Sequence, residues 1–151
     1  MAVNPGATIE SLMLANHVEQ SNGLLYISGG GWTDHHRRVG PGGPPPLSHL
    51  GIALLIAVPW LETNRSHVVT LEIHDEDGNP PIVTVNAQFN VGRPPTVPPG
   101  TTQYPTIALP MDIMFPHTGA YEIVTQIDGS EQTQRTFVFR VHDVPVLAPV
   151  V

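Results

Sequence analysis

The sequence predicts an all-β fold: an antiparallel two-sheet β-sandwich of about eight strands, immunoglobulin-like or jelly-roll-like. Three observations carry this. Apolar residues recur with a period of two through most of the chain, the signature of strands with one buried face. Turn-forming residues interrupt these runs at short intervals, as in sandwiches and barrels. Glycine and proline supply 14 and 17 of the 151 residues, about a fifth of the chain against an average of roughly 12%, a proportion hostile to a helical bundle.

Taken in order, Ile9–Val18 and Leu24–Trp32 read as a hairpin joined through Ser21-Asn22-Gly23, although Met13 and Ala15 place apolar groups on the second face. Gly29-Gly30-Gly31 at its end suggests a bulge or a close backbone approach. Leu50–Val58 reads as a central strand buried on both faces, with a short buried helix capped by Ser48 as the alternative. In His67–His74, Val69, Leu71 and Ile73 share one face; in Ile82–Phe89, Val83, Val85, Ala87 and Phe89 do. Asp75–Asn79 between them holds an Asp-Gly pair suited to a hairpin turn. Ile107, Leu109, Met111, Ile113 and Phe115 form the next face, Pro116–Gly119 turns the chain into Tyr121, Ile123 and Ile127, and Asp128-Gly129-Ser130 turns it into Phe137, Phe139 and Val141. Two proline-rich insertions, Thr33–Pro46 and Asn90–Gln103, exceed ordinary hairpin loops and are read as loops, functional or mobile, with no hidden helix. One sandwich domain is therefore expected over residues 8–142, followed by an apolar extended tail, 143–151.

Composition narrows the function. Six arginines and no lysine oppose thirteen acidic residues, for a net charge of −7, so a basic face for nucleic acid is not expected. Without cysteine there is no disulfide framework, thiolate metal site or cysteine nucleophile. The N-terminus lacks the basic and apolar regions of a signal peptide, and the longest apolar stretch, Leu50–Trp60, is about half the roughly 20 residues of a membrane span. A cytoplasmic or virion-associated location with no membrane contact is expected.

Two segments carry a resemblance. Leu12-Met-Leu-Ala-Asn16 with Asn22-Gly-Leu-Leu-Tyr-Ile-Ser-Gly-Gly-Gly-Trp32 is one; Pro59-Trp60, Asn64-Arg65-Ser-His67, Leu71-Glu72 and Asp75-Glu-Asp-Gly78 make the other. Together they resemble an uncharacterised bacterial family of short β-sandwich proteins, frequent in actinobacteria, which implies a fold and no activity. Gly119-Ala120-Tyr121 is also similar to the tyrosine corner of immunoglobulin-like sandwiches. The absence of lysine beside abundant Ala, Gly, Pro, Arg and Val hints at a GC-rich genome, of an actinobacterium or one of its phages.

No catalytic constellation emerges. Asp34-His35-His36 is the densest histidine group, but neighbours on a strand point to opposite faces and a solvated loop is the plainer reading. His74–Asn79 superficially resembles a calcium loop and is too short to wrap six or more oxygens around an ion. Ser28 is preceded two positions earlier by Tyr26 rather than glycine, so no nucleophile elbow is present. Trp32 and Trp60 end strands, where they either cap the core or offer a flat face to a ligand. The tail Val144–Val151 is uncharged in its side chains and rich in branched aliphatics, including Val146, Leu147 and Val150. It either lies in a groove of its own domain, docks on a neighbouring chain as an added strand, or is disordered.

The expected function is therefore non-enzymatic: a module acting through protein–protein contact or self-association, as a structural or accessory subunit of a larger assembly. No cofactor or metal is expected, and the candidate binding residues are Trp32, Trp60, Val146, Leu147 and Val150. Carbohydrate binding on Trp32 or Trp60 is the alternative, and a small metal-dependent hydrolase centred on Asp34, His35 and His36 a third.

Overall fold

A computed structural model describes residues 6–146. Among the described residues nine strands form: β1 Thr8–Ser21, β2 Leu24–Gly30, β3 Asp34–Val39, β4 Leu47–Ala57, β5 Ser66–Asp75, β6 Val83–Asn90, β7 Thr106–Met114, β8 Gly119–Ile127 and β9 Arg135–Pro145. One sheet has the order β2-β1-β4-β7 and the other β3-β9-β8-β5-β6. Single 3₁₀ turns at Trp60–Glu62 and Glu131–Thr133 are the only helical segments among the described residues, so no helix there is long and apolar enough to cross a membrane.

The alternating faces meet as their periodicity requires. Leu50, Ile52, Leu54 and Ile56 of β4 face Val69, Leu71 and Ile73 of β5 and Tyr121, Ile123 and Ile127 of β8 in one core. Phe115, Tyr121 and Phe139 close it with edge-on and stacked ring contacts at 4.9–5.8 Å between centroids. The Tyr121 hydroxyl donates to the backbone carbonyl of His117 at 2.6 Å, the back-bond that the tyrosine-corner likeness implies.

Leu50–Val58 is indeed a strand, and its second face is buried for a reason the pattern did not reveal. Beyond Ala15, β1 leaves its partner β4 and curls over the outer face of the sheet. Gln20 Nε2 donates to the Thr106 carbonyl on β7 at 2.8 Å, and Thr106 Oγ1 donates to the Gly23 carbonyl at 3.0 Å. Since β4 lies between β1 and β7 in the sheet, these bonds require the arm to cross it. Val18 thereby packs with Ala15 and Ala53 in a small second cluster. Gly51 makes the crossing possible: a Cβ there would sit 2.8 Å from the Val18 backbone nitrogen and 2.6 Å from Val18 Cγ2.

The first proline-rich insertion is not wholly loop. Its first half is β3, the ninth strand, and β3 pairs with β9 in parallel, so among the described residues the sandwich is antiparallel at every strand pair but this one. Alternation of apolar residues could not flag Asp-His-His-Arg-Arg-Val, because its inward positions are His35 and Arg37. Arg37, buried, donates from Nη1 to the Phe115 carbonyl at 2.6 Å and from Nε to the Asp143 carboxylate. The same pairing carries β9 through Pro145, past His142, where the sequence reading ended the domain.

Gly51→Ala should destabilise the fold by about 1–3 kcal/mol, the usual cost of overpacking against backbone. Denaturant unfolding should show a lowered midpoint with an unchanged slope. An unchanged midpoint would mean that the β1 arm does not press on β4.

Candidate functional site

One side of the sandwich is only half closed. β2 pairs with β1 from Ala15 onward, and β3 pairs with β9 from Arg140 onward. This leaves Thr8–Met13 of β1 and Arg135–Phe139 of β9 without a strand beyond them among the described residues. Gly31 N–H donates to the Leu14 carbonyl at 2.8 Å and Arg140 N–H to the Thr33 carbonyl at 2.9 Å. Backbone groups alternate in direction along a strand, so Leu12 on β1 and Thr136 and Val138 on β9 turn their amides and carbonyls to the open side. Between the two edges lies a cavity of about 230 Å³ lined by Leu12, Met13, Leu14, Trp32, Phe137 and Val138, with Gly31 and Thr33. Met13 and Val138 form its exposed rim, at 42% and 52% exposure.

Trp32 closes one end, where the chain crosses from β2 in one sheet to β3 in the other. Its ring lies 5.5 Å from His35 and edge-on to Phe139 at 6.2 Å, with His35 in turn 6.1 Å from Phe115. The buried Trp32 Nε1 and His35 Nε2 have no hydrogen-bond partner. Burial, reinforced by His36 and Arg37, holds the His35 imidazole below its ordinary value, so the neutral ring is favoured against tryptophan.

The sequence-predicted residues separate on this frame. Asp34, His35 and His36 are not a loop cluster: His35 turns inward while Asp34 and His36 face out. The Asp34 carboxylate accepts from His142 Nε2 at 2.7 Å, which holds it below its ordinary value, and His36 stacks on His142 at 4.9 Å. Trp60 lies far along the chain from the groove, with the Arg93 guanidinium over its ring at 4.1 Å and bonded to the Trp60 carbonyl; one ring face is already taken. Val146 is 50% exposed at the end of β9. Leu147 and Val150 lie outside the described residues.

The sequence model of a family of unknown function, DUF6941, matches residues 10–140. The chain belongs to that family. No curated protein matches it. The DUF6941 stretch takes in every residue of the groove, from Leu12 to Val138, and stops short of the apolar tail. Of the groove residues, the sequence reading names only Trp32 as a candidate. Phe137 reads as an ordinary member of a core face, Leu12 and Val138 are not singled out, and only the lengths of the neighbouring strands leave them at an open edge.

A second cluster within the DUF6941 stretch joins two turns. Asp75, Asp77 and His117 bring one donor atom each to within 4.8 Å of one another, a spacing at which a divalent cation could be shared. The Asp75 carboxylate is already engaged: it accepts from Asn79 Nδ2 at 2.7 Å, from the Asp77 amide at 3.1 Å and from His117 Nε2 at 3.3 Å. Those bonds, led by Asn79, hold Asp75 below its ordinary value. His117 donates from Nδ1 to the Thr118 carbonyl at 2.9 Å, and that bond, then Asp75, raises its value. The arrangement pins the β5–β6 hairpin tip to the turn that carries the tyrosine corner.

The signs of the two shifts define a pH window. The His117 contribution is complete below the ordinary imidazole value of 6.5 and is lost as pH rises through the raised folded value. The Asp75 contribution is complete above 3.8 and is lost as pH falls through the depressed one. Amide shifts of Thr118 and Gly119 should therefore be stationary between these limits and move outside them. Asp75→Asn should lower the pH at which His117 titrates; an unmoved midpoint would remove the pair.

Proposed function

We propose that this protein is a non-enzymatic binding module that takes an extended, apolar segment of a protein partner as an added strand along its half-open edge. It would serve as a structural or accessory subunit of a larger assembly, a virion accessory or decoration protein being one instance. The observation that carries the reading is the pairing of unsatisfied strand edges at Leu12, Thr136 and Val138 with the apolar lining between them. Strand addition needs both: main-chain hydrogen bonds supply affinity, and pockets for alternate side chains supply selectivity. An uncharged occupant fits, because a charge would lie against Leu12, Trp32 and Phe137 without a partner.

The carbohydrate reading has less support. A stacking platform needs an accessible aromatic face, whereas Arg93 covers Trp60 and Trp32 is packed against His35 and Phe139.

The test is capture from the protein's own host. A defined complex should co-purify with the wild-type chain. Val138→Lys should weaken it at least tenfold, about 1.4 kcal/mol, since an edge lysine blocks strand pairing. Because Val138 is exposed, the substitution should leave stability within about 0.5 kcal/mol. A wild-type chain that elutes alone, or a complex indifferent to Val138→Lys, would overturn the proposal.

A further inference from the structure

His67 is a buried titratable group that the groove does not use. Its side chain is 0% exposed and stacks on Phe89 at 5.2 Å. Nδ1 lies 2.6 Å from Asp128 Oδ2, and Nε2 lies 2.7 Å from the Glu62 carbonyl oxygen. A carbonyl and an ionised carboxylate can only accept hydrogen bonds. Both ring nitrogens must therefore donate, which takes two protons.

We propose that His67 is a buried imidazolium that fastens the Trp60–Glu62 turn to the sandwich only while it carries both ring protons, so that alkaline solution releases that segment. The surrounding groups leave little room for another solution. Asp128 is locked by its own backbone: its N–H donates to the Val68 carbonyl at 2.8 Å, and its Oδ1 accepts the Val68 N–H at 2.9 Å. The other charges near the ring are already engaged. Glu62 pairs with Arg65 at 3.3 Å, and Arg93 donates to Thr63 Oγ1 at 2.6 Å and to the Trp60 carbonyl at 2.7 Å. The β6 side presents only the uncharged ring of Phe89.

When one proton leaves, the stronger acceptor keeps the remaining N–H. Nε2 then turns a lone pair toward the Glu62 carbonyl with no water between them, and two acceptors in contact repel. The β8 side stays bonded, while the 3₁₀ turn loses its anchor. That turn carries Trp60 and Leu61, the latter 74% exposed, so the proton controls how an apolar corner of the molecule is presented.

Long-range ¹H–¹⁵N spectra at about pH 6 should show protons on both nitrogens of His67. On raising the pH to about 9, Thr63 and Asn64 amide exchange should accelerate at least tenfold beyond its intrinsic base catalysis. These amides bond the Trp60 and Val91 carbonyls in the fastened state. Trp60 emission, read in a Trp32→Phe chain, should shift red with the same midpoint as the His67 nitrogens. His67→Gln, which offers one donor and one acceptor, should abolish the step. An unprotonated ring nitrogen at pH 6, or a His67 titration that leaves Trp60–Asn64 unmoved, would overturn the inference. The wild-type titration decides the matter even if the glutamine variant does not fold.

Discussion

The buried guanidinium of Arg37 decides where this sandwich closes and where it stays open. A desolvated cation is tolerated only when its donors are satisfied, and Arg37 finds its acceptors at the Phe115 carbonyl and the Asp143 carboxylate. Those two oxygens belong to the end of β7 and the distal half of β9. Satisfying them ties β3 to β9 from Arg140 onward and to nothing before it. The proximal half of β9 is left without an outer partner. The parallel pairing, the burial of His35 beneath Trp32 and the groove all follow from where one arginine is paid for in hydrogen bonds.

An open apolar strand edge is ordinarily an aggregation hazard, blunted by charge, proline, bulges or a covering segment. The other edges of this molecule show several of those devices. β1 is bulged between Ile9 and Ser11, β2 is half lifted away on the arm that crosses β4, and β6 turns Thr84, Asn86 and Gln88 to solvent. The edge beside Val138 carries one charge, Arg135 at its start, and otherwise none of them. It is also short, only Arg135–Phe139, so it can accept one extended segment without templating a continuous sheet. If a strand is added there as proposed, Val138, exposed, rather than Trp32, packed against the core, is the position at which binding would be separable from folding.

Most of the architecture was legible because most strands bury one face and expose the other. The faces of β5 through β9 could be written down residue by residue, and the Asn22-Gly23 and Asp128-Gly129 turns fell at positive φ as their residues demand. Legibility failed where polarity and burial part company. β3 puts a histidine and an arginine inward, so it carries no alternation of apolar residues to read. Gly51 interrupts an apolar run for a reason the run does not show, because the need for it lies in Val18, which returns from a different strand. The groove was illegible for a further reason: it consists of unpaired backbone, and pairing is a property of strand lengths and register rather than of side-chain type. The His67 contacts share that character, since Glu62 and Asp128 reach the ring from opposite directions in sequence.

Groove and tail stand in different relations to the fold. Both were candidates for apolar contact, and an apolar tail is the more conspicuous feature in a sequence. Yet the stretch matched by DUF6941, residues 10–140, encloses Leu12, Trp32, Phe137 and Val138 and excludes Val144–Val151. A site built from the fold's own topology accompanies the fold wherever the crossing at Trp32 and the short edge of β9 are kept. Strand addition at the half-open edge, as proposed, would therefore be a property of the fold itself.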